Sequence, residues 1–328
     1  MKNQVYSVIV LLCTLFISAN LMAQKALPFT AKTTDVSKIK ARMDFPAEGR
    51  TSKNGGGYSV NVDLLDPKPK KVALVGFYVY DPACGDSKTS SNTTTTTYSA
   101  SIWRTPDDVA QKHVDGFYEK SIEPMKAKFK EFGIELLTPD EFLDTEEKKD
   151  FFYGFNQESG KKEKTERTVI GSYVQVKGST IKVCPTDKGY RPFFVANEPV
   201  TASVVTNFVN MGIGGANRKM TSSLGYELAK GLDVDATVVA YIITRKPKKN
   251  KDDYNVDAVN LYMFGPNPKS SGPDDANRGQ FYCGTRFFAK QLQFASSKTG
   301  VTSFDGIENV MTALSHKCCN WVINRAKK

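Results

Sequence analysis

Two unbroken apolar runs constrain the fold of this chain more than any other feature. Residues 71–81 read KVALVGFYVYD and residues 236–244 read ATVVAYIIT, and neither run alternates apolar with polar side chains. Strands of this kind are buried on both faces, as in a sheet that helices cover. A helical stripe of Met220, Leu224 and Leu228 precedes the second run. A strand that follows a helix in this way favours a β-α-β crossover and a partly parallel sheet.

Weaker patterns supply the other elements of the same architecture. Apolar positions three or four residues apart predict a long helix over 106–132, whose buried face is Ala110, Val114, Phe117, Ser121, Met125 and Phe132. A short strand at 134–138, a helix at 139–152 and strands at 256–264 and 279–289 are also expected. A final helix has a buried stripe of Ile307, Val310, Met311, Leu314, Cys318 and Trp321. The sequence thus predicts an α/β fold, a mixed, partly parallel sheet covered by helices, with a β-rich insertion.

Local signals predict where the helices begin and end. Thr105 precedes a proline and is interpreted as an N-cap, and Pro124 is expected to kink or split the long helix. Gly231 is placed to end the helix before the second apolar run. Asp305 and Glu308 have the spacing of a capping box at the start of the final helix.

Polar segments between these elements are interpreted as loops or hairpins. The Ser- and Thr-rich segment 83–101 predicts a long exposed loop, and 168–184 predicts a hairpin that turns near Lys177 and Gly178. The glycines of 212–216 are not followed by the Lys-Ser/Thr of a phosphate loop. A flexible connector or a bulge is therefore the preferred interpretation.

The amino terminus has the pattern of a secretory signal peptide. Val8 to Ile17 is an apolar run that is too short to span a bilayer, and cleavage is expected after Ala23. Cys13 is not preceded by the small residue that a lipoprotein signal requires, so we expect no lipid anchor. No later stretch is apolar enough for a transmembrane helix. The mature chain is therefore expected to be exported, and to be periplasmic, outer-membrane associated or extracellular.

The predicted organisation has three parts. Residues 1–23 are the signal peptide, and the polar residues 24–66 are interpreted as an extended arm or linker. Residues 67–328 form the α/β module, with the insertion at about 153–217.

The chain is strongly basic, with a net charge of +10 at pH 7. Basic runs lie at 68–71, 161–164, 246–251 and 325–328, and each flanks a predicted element. Solvated loops and element ends explain such runs, and attraction to an anionic envelope surface or glycan is the alternative. Nucleic acid is not an expected partner, because the chain has an export signal and no recognisable reader motif.

Export would permit disulfides among the cysteines of the mature chain, which are Cys84, Cys184, Cys283, Cys318 and Cys319. An odd count leaves at least one thiol out of any intrachain scheme. Cys283 could pair with Cys318 or Cys319, and Cys84 with Cys184. The alternative is that all five are reduced core residues. Cys319 lies about 100° from the buried helix stripe and is interpreted as the freer thiol.

The sequence presents no catalytic, cofactor-binding or metal-ligating set. No C-x-x-C occurs, and His113 and His316 are interpreted as helix-surface residues without a nucleophile partner. The acid pairs at 107–108 and 274–275 adjoin a helix start or a turn. Capping explains them better than acid–base catalysis does.

Four segments, in their order along the chain, support a family resemblance: VALVGFYVYD, FGIELLTPDEF, LAKGLDVDATVVAYI and VDAVNLYMF. Their order resembles the curli-secretion-channel (CsgG-like) family and the related TolB amino-terminal domain, over about 71–150 and 218–325. Those families share a helix-turn-strand of the form ALG-x-D-x-x-x-x-G. Here that turn is occupied by Leu232, Asp233, Asp235 and Ala236. The resemblance implies a scaffold of the periplasm or outer membrane that binds protein partners or builds a secretion channel, without catalytic residues.

Three functions follow as hypotheses. The favoured one is an exported non-enzymatic envelope protein that acts as a scaffold or binds a partner, either an envelope protein or an anionic surface glycan. The second is a subunit of an outer-membrane secretion channel, with 153–217 supplying membrane hairpins. The third is an exported hydrolase. A homo-oligomer is compatible with the first two.

Overall fold

The computed structural model describes the predicted α/β module and a short segment before it. The described residues are 26–43, 67–91, 96–157, 169–170, 173–174, 181–185, 187–193, 195 and 219–325. The predicted signal peptide and the glycines of 212–216 lie outside these ranges, so the interpretations of them stay predictions. The described residues of 168–184 pair otherwise than predicted, because Val169 and Ile170 pair with Val174 and Tyr173, and Ile181–Val183 pairs with the end of the strand Lys71–Asp81. The prediction of a hairpin that turns near Lys177 and Gly178 is therefore wrong.

The helices of the described residues are α1 (Pro28–Thr33), α2 (Asp107–Glu131), α3 (Pro139–Phe142), α4 (Glu146–Gly154), α5 (219–231) and α6 (Ile307–Arg325). Helix α5 contains a π-helical stretch over Ser223–Leu228, and a 3-10 turn at Val36–Lys38 follows α1. The strands are β1 (Arg42–Met43), β2 (Lys71–Asp81), β3 (Cys84–Ser91), β4 (Thr96–Trp103), β5 (Glu135–Leu137), β6 (Val169–Ile170), β7 (Tyr173–Val174), β8 (Ile181–Val183), β9 (Ala236–Arg245), β10 (Tyr254–Pro266), β11 (Gly279–Ser296) and β12 (Val301–Thr302).

Strand β2 lies inside the main sheet, whose order is β1-β11-β10-β9-β2-β5. It runs parallel to β5 and to β9, whereas β9, β10, β11 and β1 are antiparallel to one another. Strand β8 pairs antiparallel with the end of β2, and β12 pairs with the end of β11. The parallel pairs require crossovers, which contain α2 and α5. The predicted mixed, partly parallel sheet covered by helices is confirmed.

Helices cover both faces of this sheet and create two cores. Helices α2 and α6 pack on the first face, where Leu74, Ile242 and Leu261 are buried. Helices α3, α4 and α5 pack on the second face, where Tyr78 and Tyr241 are buried. Both faces of β2 and β9 are therefore inaccessible to water, which explains why their sequences do not alternate.

The long helix α2 agrees with its predicted face, with one difference in its course. Five of the six predicted face residues are buried, and Phe132, just beyond the helix, is half-buried. The helix continues through Pro124 without interruption, so the predicted split is wrong. Thr105 is not the N-cap, because Pro106 takes that position and the Thr105 side chain bonds elsewhere.

Two other predicted helix ends differ for reasons of packing. A left-handed residue does follow α5, but it is Asp233 (φ 56°) rather than Gly231. Gly231 is needed for close contact, because a Cβ there would lie 2.1 Å from the Phe151 ring. At α6, Asp305 and Glu308 do not form a reciprocal capping box. The Gly306 N–H donates to Glu308 at 2.9 Å, while Asp305 accepts from Lys120 of α2 at 2.6 Å.

Three segments contain more regular structure than predicted. Residues 83–101 contain most of the hairpin β3–β4, paired from Cys84↔Trp103 to Ser91↔Thr96, so the prediction of a long loop is wrong. Residues 139–152 form two helices, because the Thr145 side chain accepts from the Lys148 N–H at 3.2 Å and starts a new one. Strand β11 extends beyond the predicted end at 289, through a bulge.

Part of the predicted arm is packed on the module. Phe29 of α1 is buried, with its ring 6.4 Å from that of Phe117. Strand β1 adds to the sheet through the pair Arg42↔Arg286. Residues 26–43 therefore belong to the folded body, although 24–66 was predicted to be an extended arm or linker.

Asp235 aligns the amino ends of the two central parallel strands. Its carboxylate accepts from the N–H groups of Lys70 and Lys71 at 2.7 and 2.8 Å, and its own N–H donates to Lys71 O at 2.8 Å. The register Val72↔Ala236 begins from this contact. The other end of the same two strands is open to loops, and it is where polar side chains gather.

Candidate functional site

The carboxyl ends of β2 and β9 form the candidate site. In open α/β sheets, ligands and partners bind outside the carboxyl ends of parallel strands, where loops converge. Here β2 ends at Asp81 and β9 ends at Arg245. The hairpin β3–β4, the start of α2 and the loop 246–253 leave from the same edge.

Asp81 holds the base of the hairpin. Its side chain is fully buried and accepts from the Ala83 N–H at 2.7 Å, just before β3. It also accepts from the Thr105 N–H at 2.7 Å and from the Thr105 hydroxyl at 2.6 Å, just after β4. One carboxylate therefore binds both feet of the hairpin, and hydrogen bonds to an ionised acceptor are stronger than neutral ones.

The first foot of the hairpin is strained. Ala83 is buried and has φ 64°, in the left-handed region that a residue with a Cβ seldom adopts. Such residues persist where their surroundings fix them, and here the bond to Asp81 does so. The turn at Ala83 directs β3 away from the sheet.

A thiol and an ion pair lie beside this base. Arg245 of β9 pairs with Asp257 of β10, and the other carboxylate oxygen of Asp257 has no hydrogen-bond partner among the described residues. Burial raises the pKa of Asp257, against the lowering effect of Arg245. Burial also raises the pKa of Cys84, with a smaller opposing effect from Arg245 and a raising effect from Asp81. The Cys84 thiol is therefore protonated at neutral pH and is a poor nucleophile.

The loop after β9 supports the hairpin from one side. The Trp103 indole N–H donates to Lys246 O at 2.8 Å, and Lys249 Nζ donates to the Ser101 hydroxyl at 3.2 Å. Lys246 forms an ion pair with Asp252 at 2.9 Å. Lys248, Lys249 and Lys251 are exposed and form no ion pair with a described residue. We call β3–β4 together with these three lysines the hairpin–lysine surface.

The acid pairs considered from the sequence lie at opposite ends of the sheet. Asp107 and Asp108 occupy the exposed first turn of α2, where Asp107 pairs with Arg104. Asp275 lies in the β10–β11 loop and accepts from the N–H groups of Ser271 and Asn277 at 2.9 and 2.8 Å. The structure does not bring the two pairs together, and each has a local capping or turn role.

The two histidines have different environments. His316 is exposed, as predicted, against the Phe132 ring. His113 is only 3% exposed, so its interpretation as a surface residue is wrong. Its ring lies 4.7 and 4.8 Å from those of Tyr254 and Phe294, and its Nδ1 has no partner among the described residues. Burial lowers the pKa of His113 to about 4.

The five cysteines of the described residues are all free thiols, and only Cys283, Cys318 and Cys319 lie together. Cys184 follows β8, whose pairing Val79↔Val183 carries it away from the end of β2, whereas Cys84 lies beyond that end. Several strand residues at about 3.3 Å each exceed the separation that a disulfide can span, so these two are not brought together. Cys283, Cys318 and Cys319 are all buried in the first core, so Cys319 is no more exposed than the other two, although it lies off the predicted helix stripe.

A row of polar and aromatic side chains on the second face was not foreseen. Tyr78 and Tyr241 stack with ring centroids 5.2 Å apart, and Tyr262 continues the stack at 5.9 Å from Tyr241. Arg286 donates to Asn260 and, at 3.1 Å, to the Tyr262 hydroxyl. These contacts fix the strand register across β2, β9, β10 and β11. Apolar patterning could not reveal them, because tyrosine counts as apolar in such patterns.

Metal-binding clusters and membrane-spanning helices are absent from the described residues. They contain no group of three or more His, Cys, Asp or Glu side chains that could hold a metal ion. None of their helices combines the length and the apolar character needed to cross a membrane.

The fold and this site define a three-layer α/β module with a hairpin anchored at the carboxyl edge of its sheet. Comparisons with protein-family models, with curated proteins and with solved structures give no match for this chain. The resemblance to the curli-secretion-channel and TolB amino-terminal families therefore stays a prediction.

Proposed function

We propose that this chain is an exported, non-enzymatic protein of the cell envelope that binds a partner protein through its hairpin–lysine surface. The observation that supports this most directly is the position of Asp81. A buried carboxylate joined to both Ala83 and Thr105 fixes where the hairpin leaves the body. A projecting element with a rigid base suits recognition, because less conformational freedom is lost on binding.

The chemistry of the edge also favours binding over catalysis. Cys84 has a raised pKa, and Asp257 is engaged by Arg245. A nucleophile needs an activating base or a lowered pKa, and neither accompanies this thiol among the described residues. The resemblance to envelope scaffold families points in the same direction.

The charge of the surface indicates the kind of partner. Lys248, Lys249 and Lys251 are exposed in the loop after β9, which contacts the hairpin through Lys246 and Lys249, and none of the three forms an ion pair with a described residue. Such a cluster attracts an acidic surface and speeds its association, and the attraction weakens with salt. We therefore propose an acidic envelope protein as the partner, and an anionic glycan as the alternative that the test must separate.

The test is affinity capture from native envelopes with the full mature chain and three variants. The first variant removes residues 88–99 and joins Ser87 to Ala100 through Asn-Gly, a pair that favours a two-residue hairpin turn. This keeps the register from Cys84↔Trp103 to Ser87↔Ala100. The second replaces Lys248, Lys249 and Lys251 with glutamine. The charge-matched control replaces three other lysines with glutamine. These are Lys68, Lys70 and Lys269, which are exposed at the opposite end of the sheet.

The full chain and the control should recover the same protein, and the two surface variants should lose it. Recovery should fall as salt rises. Capture of glycan without protein, or equal recovery by all four chains, would contradict the proposal. Export is tested separately by mass spectrometry of the native chain, which should begin near Gln24 and have no lipid.

A further inference from the structure

The register between β11 and α6 places Cys283 opposite Cys318. The Thr285 hydroxyl of β11 donates to Leu314 O of α6 at 3.3 Å. Cys283 lies two residues before Thr285, on the same strand face, and Cys318 lies four residues after Leu314, on the same helix face. The two cysteines therefore face each other between β11 and α6, about one helical turn from the contact of Thr285 with Leu314.

Burial and contact distinguish Cys318 from its neighbour Cys319. Cys283 and Cys318 are both fully buried in the first core, and the pKa of the Cys318 thiol is raised first by burial and then by its neighbour Cys283. Cys319 is also buried, but consecutive residues point about 100° apart around a helix. Cys319 therefore cannot occupy the position that Cys318 takes against β11.

We propose that Cys283 and Cys318 form a disulfide in the exported protein and that Cys319 remains a thiol. The proposal rests on the export included in the proposed function. The contact of Thr285 with Leu314 packs this part of β11 against α6, so joining the two sulfur atoms needs a local approach rather than movement of an element. Exported chains encounter the oxidising conditions that this bond requires.

The oxidant is a disulfide-bearing exchange partner of the export compartment. One cysteine thiolate attacks that disulfide, forms a mixed disulfide and displaces one thiolate of the partner. The second cysteine thiolate then attacks the protein-side sulfur and releases the partner as a dithiol. The chain loses two protons and two electrons, and the partner's disulfide accepts the electrons. Because both sulfurs are buried in the folded chain, exchange takes place before α6 closes over β11.

Peptide mapping tests the assignment. Mature chain isolated from native envelopes is denatured in the presence of N-ethylmaleimide, which blocks free thiols. It is then reduced and treated with iodoacetamide, which labels the cysteines released from disulfides. The same treatment follows refolding of purified, reduced chain in a mixture of glutathione and glutathione disulfide. In both arms Cys283 and Cys318 should carry the second reagent, and Cys84, Cys184 and Cys319 should carry the first. Non-reduced digests should contain the peptide that joins Cys283 to Cys318.

Two variants sharpen the result. The Cys319→Ser variant should keep the linked peptide, whereas Cys318→Ser should leave Cys283 reactive with the first reagent. Linkage of Cys283 to Cys319 in the unmodified chain, or free Cys283 after both oxidation and native export, would overturn the proposal. A bond that forms on refolding but not in native chain retained in the cytoplasm would contradict export instead, so the two failures are distinguishable.

Discussion

The carboxylate of Asp81 accepts hydrogen bonds from both the backbone N–H and the hydroxyl of Thr105, at 2.7 and 2.6 Å, across 24 residues of chain. The intervening residues are the hairpin β3–β4. A two-stranded hairpin is marginally stable in water when nothing holds it. The contact between Asp81 and Thr105 fixes the base of the hairpin against the sheet. It therefore stabilises the hairpin, as pairing with a third strand would.

Loss of the Asp81 carboxylate should destabilise the module and loosen the hairpin. The variant Asp81→Ala leaves the N–H groups of Ala83 and Thr105 buried without acceptors, which should cost about 3 kcal/mol or more. Asp81→Asn retains one carbonyl acceptor and should cost about 1–2 kcal/mol. Urea unfolding gives both values. Unfolding midpoints equal to that of the unmodified chain would show that the contact has no structural role.

The free energy of unfolding should decrease as the pH is lowered, because His113 becomes protonated in the unfolded chain before it does so in the folded chain. Burial holds the pKa of His113 at about 4, below the ordinary value of 6.5. Between these values the unfolded chain binds the proton and the folded chain does not. The stabilisation present above pH 6.5 should therefore be lost as the pH falls to about 4, by about 3 kcal/mol in all.

The variant His113→Phe, which suits the neighbouring rings of Tyr254 and Phe294, should remove that dependence. The exposed His316 provides the control, because His316→Phe should keep the slope of the unmodified chain. The measurement is the free energy of unfolding in urea at several pH values. Equal slopes for all three chains would contradict the assignment to His113.

The unbroken apolar run of β9 should not tolerate a charge. Val239 is fully buried on the second face, between β2 and β10. Val239→Asp places an unpaired carboxylate there and should cost roughly 5 kcal/mol or more, enough to prevent folding of many domains. Val239→Ala should cost about 1–3 kcal/mol and fold. The measurement is the melting temperature of the two variants. A melting temperature of Val239→Asp equal to that of the unmodified chain would contradict the burial of this strand.

The disulfide proposed between Cys283 and Cys318 should contribute to stability. Closing the chain between these residues restricts the unfolded state, by about 4 kcal/mol on the chain-entropy model. Dithiothreitol should lower the urea midpoint of the oxidised chain and of Cys319→Ser. It should not change the midpoint of Cys318→Ser. Equal sensitivity of all three chains to the reductant would contradict the predicted pair.

The central strands and the faces of the long helices could be predicted from the sequence. The run 71–81 corresponds to β2, and 236–244 to β9 with one further residue, because unbroken apolar runs have few alternatives in a covered sheet. The stripe from Ile307 to Cys318 is buried as expected. These features depend on periodicity, which a single sequence contains.

The candidate site could not be predicted in the same way. Asp81 ends an apolar run, a place where any polar residue can stand. Its partner Thr105 lies 24 residues away, behind a segment whose Ser and Thr content indicated a loop. Threonine and the aromatic residues of β4 favour strands, so the hairpin had a signal that the polar composition concealed. His113 was misplaced because a polar side chain on an apolar helix face is usually assigned to the surface.

The most direct test of partner binding is site-specific photo-crosslinking in native envelopes. A benzophenone amino acid replaces Tyr98 of the hairpin in one chain and Tyr153, which is 52% exposed on α4, in the other. After illumination, the Tyr98 position should give an adduct with one envelope protein, weakened by salt, and the Tyr153 position should not. No protein adduct at Tyr98 in a chain shown to be folded and exported, or the same adduct at both positions, would contradict the proposal that this hairpin recognises a partner.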